Sequence, residues 1–231
     1  MNITDGILGH YWILLSWAAF AVLFVLALFR APWRHLSAAD EDGKAGARFN
    51  TWLGFIVALM LLWSMKAGVR PGFALHLLGG TVFTLAFGPW LAFIGLCLVL
   101  AGVAANGAIS WEYFAVNALV MGALPVFVSN AVLRFSERFL PRQIFVYIFV
   151  DAFFGAGLAV LAVGLCSSLL LCAASPYGSE FLFGEYLPVT LLVAFSEAWL
   201  SGMMITLFVV YRPQWVASFK DSLYLRSTGN K

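Results

Sequence analysis

The chain has 231 residues, 63% of them hydrophobic, with 13 Lys or Arg, 11 Asp or Glu, a formal charge of +2 and a mean hydropathy of +0.94. Charges so sparse, gathered in short islands between long uncharged runs, exclude a water-soluble surface and call for a bilayer as solvent. The basic residues are dispersed and form no stripe interleaved with aromatics, which argues against a nucleic-acid partner.

Asp5 is the only charge ahead of the first apolar run, the wrong flank for a secretory signal peptide, so that run is expected to remain in the mature protein. It extends from about Leu8 to Phe29 and stops at Arg30, Arg34 and His35, long enough to cross a hydrocarbon core about 30 Å thick. A second span is predicted over Phe49–Met65, ending at Lys66 and Arg70. No formal charge follows until Glu112, and Gly88-Pro89 divides this stretch into spans three and four at about 73–87 and 90–105. Spans five, six and seven fit 113–133, 144–172 and 187–210. Pro125 is expected to kink span five, whereas Pro188 suits a first turn.

The expected fold is therefore all-α: one integral membrane domain over 1–231, a polytopic bundle of about seven transmembrane helices. Seven spans place the loops 30–48 and 134–142 and the tail 212–231 on one side, with 11 of the 13 basic residues. The positive-inside rule makes that side cytosolic and puts the N-terminal segment, about 1–7, outside, as in a multi-pass protein of a cell inner membrane. Lipid is the first partner this implies.

Within the spans, Cys97, Cys166 and Cys172 are unpaired in number and spacing and read as buried small hydrophobes. Small residues four apart, Gly54 and Ala58, Ala152 and Ala156, Gly155 and Ala159, allow close helix approach, within this bundle or against a partner subunit. Asn117, Asn130, Asp151 and Glu197 form the candidate polar interior, because an acid at bilayer depth costs roughly 2.5–3.5 kcal/mol on insertion scales and must face protein or water. Asn117 and Asn130 are the expected partners of the two acids. No nucleophile–base spacing or His-Glu-x-x-His set occurs, and His10 and His35 read as interfacial, so no catalytic residue and no resident cofactor is expected.

Several short segments, in order, carry a resemblance. Met1-Asn2-Ile3-x-Asp5-Gly6-x-Leu8, His76-Leu77-Leu78-Gly79-Gly80, Gly88-Pro89-Trp90, Asn117-Ala118-Leu119-x-Met121-Gly122 and Glu197-Ala198 with Ser201-Gly202 resemble the CbiM/NikM family. These are the substrate-binding membrane components of energy-coupling factor ABC transporters for cobalt and nickel. The resemblance implies a metal site in which the Met1 amine, the backbone nitrogen of residue 2, a histidine imidazole at residue 2 and a later imidazole, here His76, form a nitrogen plane suited to nickel(II) or cobalt(II). This sequence departs at Asn2, whose carboxamide replaces the imidazole, so one donor of that set is missing. The resemblance further implies a transmembrane partner subunit and separate ATPase subunits, since the chain has no Walker motif. The alternative reading is a non-transporting accessory or assembly protein on the same scaffold.

Overall fold

The computed structural model describes Ile3, residues 8–37, 46–64, 67–70, 73–174, Gly184, 186–220 and Tyr224. Among these, five helices are long and apolar enough to cross a membrane: α1 (His10–Arg30), α3 (Ala47–Ser64), α6 (Trp111–Phe139), α7 (Ile144–Ala173) and α8 (Leu187–Tyr211). Between α1 and α3 lies a short helix α2 (Trp33–Ser37). The remaining apolar helices are α4 (Gly80–Phe87), of eight residues, and α5 (Pro89–Ala105), of 17. The helical architecture expected from composition holds, but among the described residues five helices rather than seven are of spanning length, and one expected span departs in conformation as well.

That departure is at the expected third span. Residues 73–87 do not form one helix: Ala67–Arg70 (β1) and Phe73–Leu75 (β2) pair as an antiparallel ribbon, residues 76–79 are neither helix nor strand, and helix begins only at Gly80. The sequence between the strands, Pro71-Gly72, is turn chemistry that competes with helix. At the other end of the segment Gly79 has φ 67°, where a β-carbon would be strained and would also overlap the Leu59 side chain.

Every residue of α4 is buried, and α5, α6, α7 and α8 pack around it. A β-carbon on Gly80 would lie 3.3 Å from Pro125, so glycine sets the close α4–α6 approach. Thr81 and Ser129 share a hydrogen bond of 2.7 Å across the same seam. Around Pro125 the helix changes its hydrogen-bond pattern. Its missing N–H would have served Met121, and the chain upstream widens into a π-helical stretch over Ala118–Ala123. A second π-helical stretch, Tyr147–Phe154, opens α7 and carries Asp151.

One end of the bundle collects the basic segments. Arg48 donates to the Gln214 carbonyl at 3.4 Å, and Arg30 lies 5.7 Å over the Trp90 ring. Tyr147 and Ser218 hydroxyls meet at 2.6 Å. Here the chain after α8 also repairs a local defect. Pro89 has no N–H for the Leu85 carbonyl, which instead accepts from Ser218 N at 3.2 Å and Ser218 Oγ at 2.8 Å, while Ala217 N serves Ala86 at 2.9 Å. The rings of Tyr147, Phe219 and Tyr224 cluster beside this junction with centroids 5.1–5.2 Å apart, Phe219 stacked on Tyr224 and Tyr147 tilted against both.

The small-residue pairs divide. Ala152, Ala156 and Ala159 are buried in helix packing, whereas Gly54 and Ala58 lie on the exposed face of α3. The cysteines divide too: all three are free and Cys97 is buried, but Cys172 is exposed, contrary to its reading as a buried residue. An apolar side chain in a bilayer has no need of the protein interior, so burial cannot be inferred from hydrophobicity there.

Candidate functional site

The site expected from sequence has an N-terminal half and a His76 half, and each is held by a polar side chain from a different helix. Met1, Asn2 and Asp5 lie outside the described residues. Ile3 is 2% exposed, and its backbone pairs with Asn117 in both directions. Ile3 N donates to Asn117 Oδ1 at 2.8 Å, and Asn117 Nδ2 donates back to the Ile3 carbonyl at 3.0 Å. The carboxamide thus replaces a neighbouring strand for one residue, and its second N–H goes to the Tyr113 carbonyl at 3.0 Å.

Four residues before Asn117, the Tyr113 hydroxyl makes the same reciprocal pair with Leu8. It accepts from Leu8 N at 3.2 Å and donates to the Leu8 carbonyl at 3.3 Å. Trp17 Nε1 reaches the Glu112 carbonyl at 3.2 Å, fixing α1 beside the start of α6. The chain entering α1 is therefore pinned to α6 at two points on either side of residues 4–7.

The His76 half is a short non-helical stretch inside the bundle. His76 is 5% exposed, its ring 4.8 Å from that of Trp63, and its Nδ1 is 3.0 Å from the Leu77 carbonyl. Trp63 Nε1 donates to the Leu78 carbonyl at 3.1 Å. Glu197, fully buried near the middle of α8, accepts Leu78 N on Oε2 at 2.8 Å and Gly79 N on Oε1 at 2.6 Å. Helix α8 thus fixes the segment that carries His76. Gly80 packs on Pro125, eight residues along α6 from Asn117.

The other candidates serve different purposes. Asp151 is fully buried and accepts from Ser136 Oγ at 3.2 Å on Oδ2, while Oδ1 has no hydrogen-bond partner among the described residues. Asn130 is half-buried. Neither acid uses Asn117 or Asn130 for the bonds described, contrary to expectation: Glu197 serves backbone N–H groups and Asp151 a serine. His10 and His35 are exposed. Trp63 and Tyr113 were not singled out by sequence, because each falls at a span boundary where an aromatic reads as an interfacial anchor. Among the described residues no cluster of three or more His, Cys, Asp or Glu occurs.

This arrangement defines a class: a multi-pass membrane protein in which Ile3 and Leu8, near the N-terminus, and a non-helical stretch bearing a buried histidine are pinned to its helices. The sequence profile of CbiM, described as the cobalt uptake substrate-specific transmembrane region, matches residues 2–215, and the chain belongs to that family. No curated protein matches the sequence significantly. Two solved structures share the fold. One, described as a truncated transition metal transporter, has a TM-score of 0.75 and 17% identity, covering 91% of this chain and 99% of its own. The other, described as a transition metal transporter, has a TM-score of 0.74 and 17% identity, covering 91% and 93%.

Proposed function

We propose that this chain is the substrate-binding membrane component of an energy-coupling factor transporter for a divalent transition metal of the cobalt or nickel class. Family membership supports metal uptake, and the observation that carries the site is the reciprocal Ile3–Asn117 pair. A chelate built on the N-terminal amine and the next peptide nitrogen needs a fixed N-terminus, and this pair holds the chain two residues away from Met1. The substrate metal takes the Met1 amine, the Asn2 backbone nitrogen and the His76 imidazole. Because His76 Nδ1 faces a carbonyl, which only accepts, Nδ1 carries the proton and Nε2 is the nitrogen with donor character.

The basic end of the bundle faces the cytosol of an inner membrane and the Ile3 end faces outside, where metal arrives. ATP hydrolysis belongs to separate ATPase subunits acting through a transmembrane partner, because the chain has no Walker motif. Asn2 supplies no imidazole, so the fourth planar position is taken by a weaker ligand and affinity is low. That substitution favours the second reading, a non-transporting accessory subunit, if metal binding fails.

Isothermal titration of the purified protein with nickel, cobalt, copper and zinc decides between them. Weak binding by the wild type, strengthened by Asn2→His and abolished again by adding His76→Ala, supports the donor set. Tight nickel binding by the wild type that Asn2→His leaves unchanged overturns it. Co-purification of ATPase subunits tests the transporter assembly independently.

A further inference from the structure

Two consecutive peptide groups of the His76 segment are each held at both edges. The peptide joining Leu77 and Leu78 offers its carbonyl to His76 Nδ1 at 3.0 Å and its N–H to Glu197 Oε2 at 2.8 Å. The next, joining Leu78 and Gly79, offers its carbonyl to Trp63 Nε1 at 3.1 Å and its N–H to Glu197 Oε1 at 2.6 Å. In a planar trans peptide the C=O and N–H point in opposite directions, so each group bridges Glu197 on one side to an aromatic nitrogen on the other.

A capping role accounts for only one of the Glu197 bonds. The Gly79 amide is the N–H of the cap residue of α4, a donor that a capping carboxylate can bind. The Leu78 amide lies one residue before the cap, outside any capping role. That bond fixes the non-helical segment and is in series with His76 through a single peptide plane. Hydrogen bonds in such a chain polarise one another, the carboxyl group strengthening the carbonyl as an acceptor for Nδ1–H.

We propose that Glu197 is a positioning residue for His76: acting through the Leu77–Leu78 peptide, it fixes the imidazole orientation and its Nδ1–H tautomer and ties the ring to α8. This deepens the reading of His76 as a metal donor and rests on it only for the metal measurement. A group hydrogen-bonded behind a ligating histidine changes metal affinity roughly 10- to 100-fold when removed, and Glu197 holds such a group, the Leu77 carbonyl, in place.

The chain has three histidines, so protein labelled with nitrogen-15 at histidine gives a spectrum in which His76 is assigned by comparison with His76→Gln. In the wild type His76 is the Nδ1–H tautomer. In Glu197→Gln, which keeps one acceptor oxygen, and more fully in Glu197→Ala, it shifts to a mixture of tautomers while His10 and His35 are unchanged. An unchanged His76 signal in folded Glu197→Ala overturns the proposal. If that variant does not fold, the isosteric Glu197→Gln decides in the same way. If neither folds, hydrogen exchange at Leu78 and Gly79 of the wild type decides, protection supporting the clamp and fast exchange overturning it. In an Asn2→His background, adding Glu197→Gln weakens nickel(II) binding about 10- to 100-fold. Absence of nickel binding in Asn2→His, with the tautomer shift still seen, sinks the metal reading and leaves the positioning role standing. Nickel binding that Glu197→Gln does not weaken counts against the positioning role.

Discussion

Replacing Asn117 with alanine tests how the N-terminal segment is held. The substitution removes two bonds to Ile3, one in each direction, and leaves a buried N–H and a buried C=O without partners. Each such bond contributes about 0.5–1.5 kcal/mol net, so the docked segment loses roughly 1–3 kcal/mol. Its undocked population then rises by about 5- to 150-fold. The Tyr113–Leu8 pair remains, which confines the loosening to residues ahead of Leu8 and leaves the helices in place. Hydrogen–deuterium exchange of the purified protein in detergent reads this directly: exchange at Ile3 accelerates by tenfold or so, while α1 is unchanged. Asn117→Asp separates the two bonds, since the carboxylate still accepts from Ile3 N but has no N–H for the Ile3 carbonyl and repels it. It is expected to loosen the segment nearly as much as alanine. Unaltered Ile3 exchange in both variants refutes the claim that Asn117 anchors the N-terminus.

Asp151 is served by one donor, so Asp151→Asn, which keeps an acceptor for Ser136 and removes any charge, is expected to leave the thermal midpoint unchanged or raise it; a fall of several degrees refutes this. Ser136→Ala, by contrast, strips the buried acid of its bond and costs about 1–3 kcal/mol, seen as a lower midpoint. Ser218→Ala removes the hydroxyl contacts to Tyr147 and Leu85 and lowers the midpoint by a few degrees, since about 1 kcal/mol moves a chain of this size by roughly 2–4 °C. Single cysteines at Ala38 and Leu225, in a background without native cysteines, label from the same, cytosolic, side; labelling from opposite sides contradicts the proposed topology.

The five long helices were legible because each is an apolar run ended by charge or proline, and their observed limits fall within a few residues of the expected ones. The stretch from Phe73 to Gly79 was not, since Phe-Ala-Leu-His-Leu-Leu is as hydrophobic as a helix and hydropathy does not register conformation. What marked it was punctuation, Pro71-Gly72 before it and Gly79-Gly80 after it. The π-helical stretches left no sequence mark except Pro125. His76 and Asn117 stood out in the sequence, His76 as a metal donor and Asn117 as a partner for the buried acids, but the hold of Asn117 on Ile3 and of Glu197 on Leu78 and Gly79 did not, because sequence displays side chains and hides unpaired backbone.

That hidden backbone explains the placement of the polar residues. A peptide group outside a helix at membrane depth is tolerated only where protein satisfies it, each failure costing several kcal/mol. Along the His76 segment, Leu77 O, Leu78 N, Leu78 O, Gly79 N and Gly79 O are met by His76, Glu197, Trp63, Glu197 again and Phe83 N. Around the N-terminal segment, Ile3 and Leu8 are met by Asn117 and Tyr113. Glu197 and Asn117 are thus side chains that allow non-helical backbone inside a helical bundle, at Leu78–Gly79 and at Ile3, and both positions adjoin proposed metal donors. Helical backbone has its N–H and C=O groups committed to the helix and cannot bring an amine, a peptide nitrogen and an imidazole into one plane. Non-helical backbone is free to, at the cost of the groups these residues supply. Asp151 holds neither of these positions, and by the same reasoning its replacement should leave the Ile3 and His76 anchors intact, whereas changes at Asn117 and Glu197 should each release one of them.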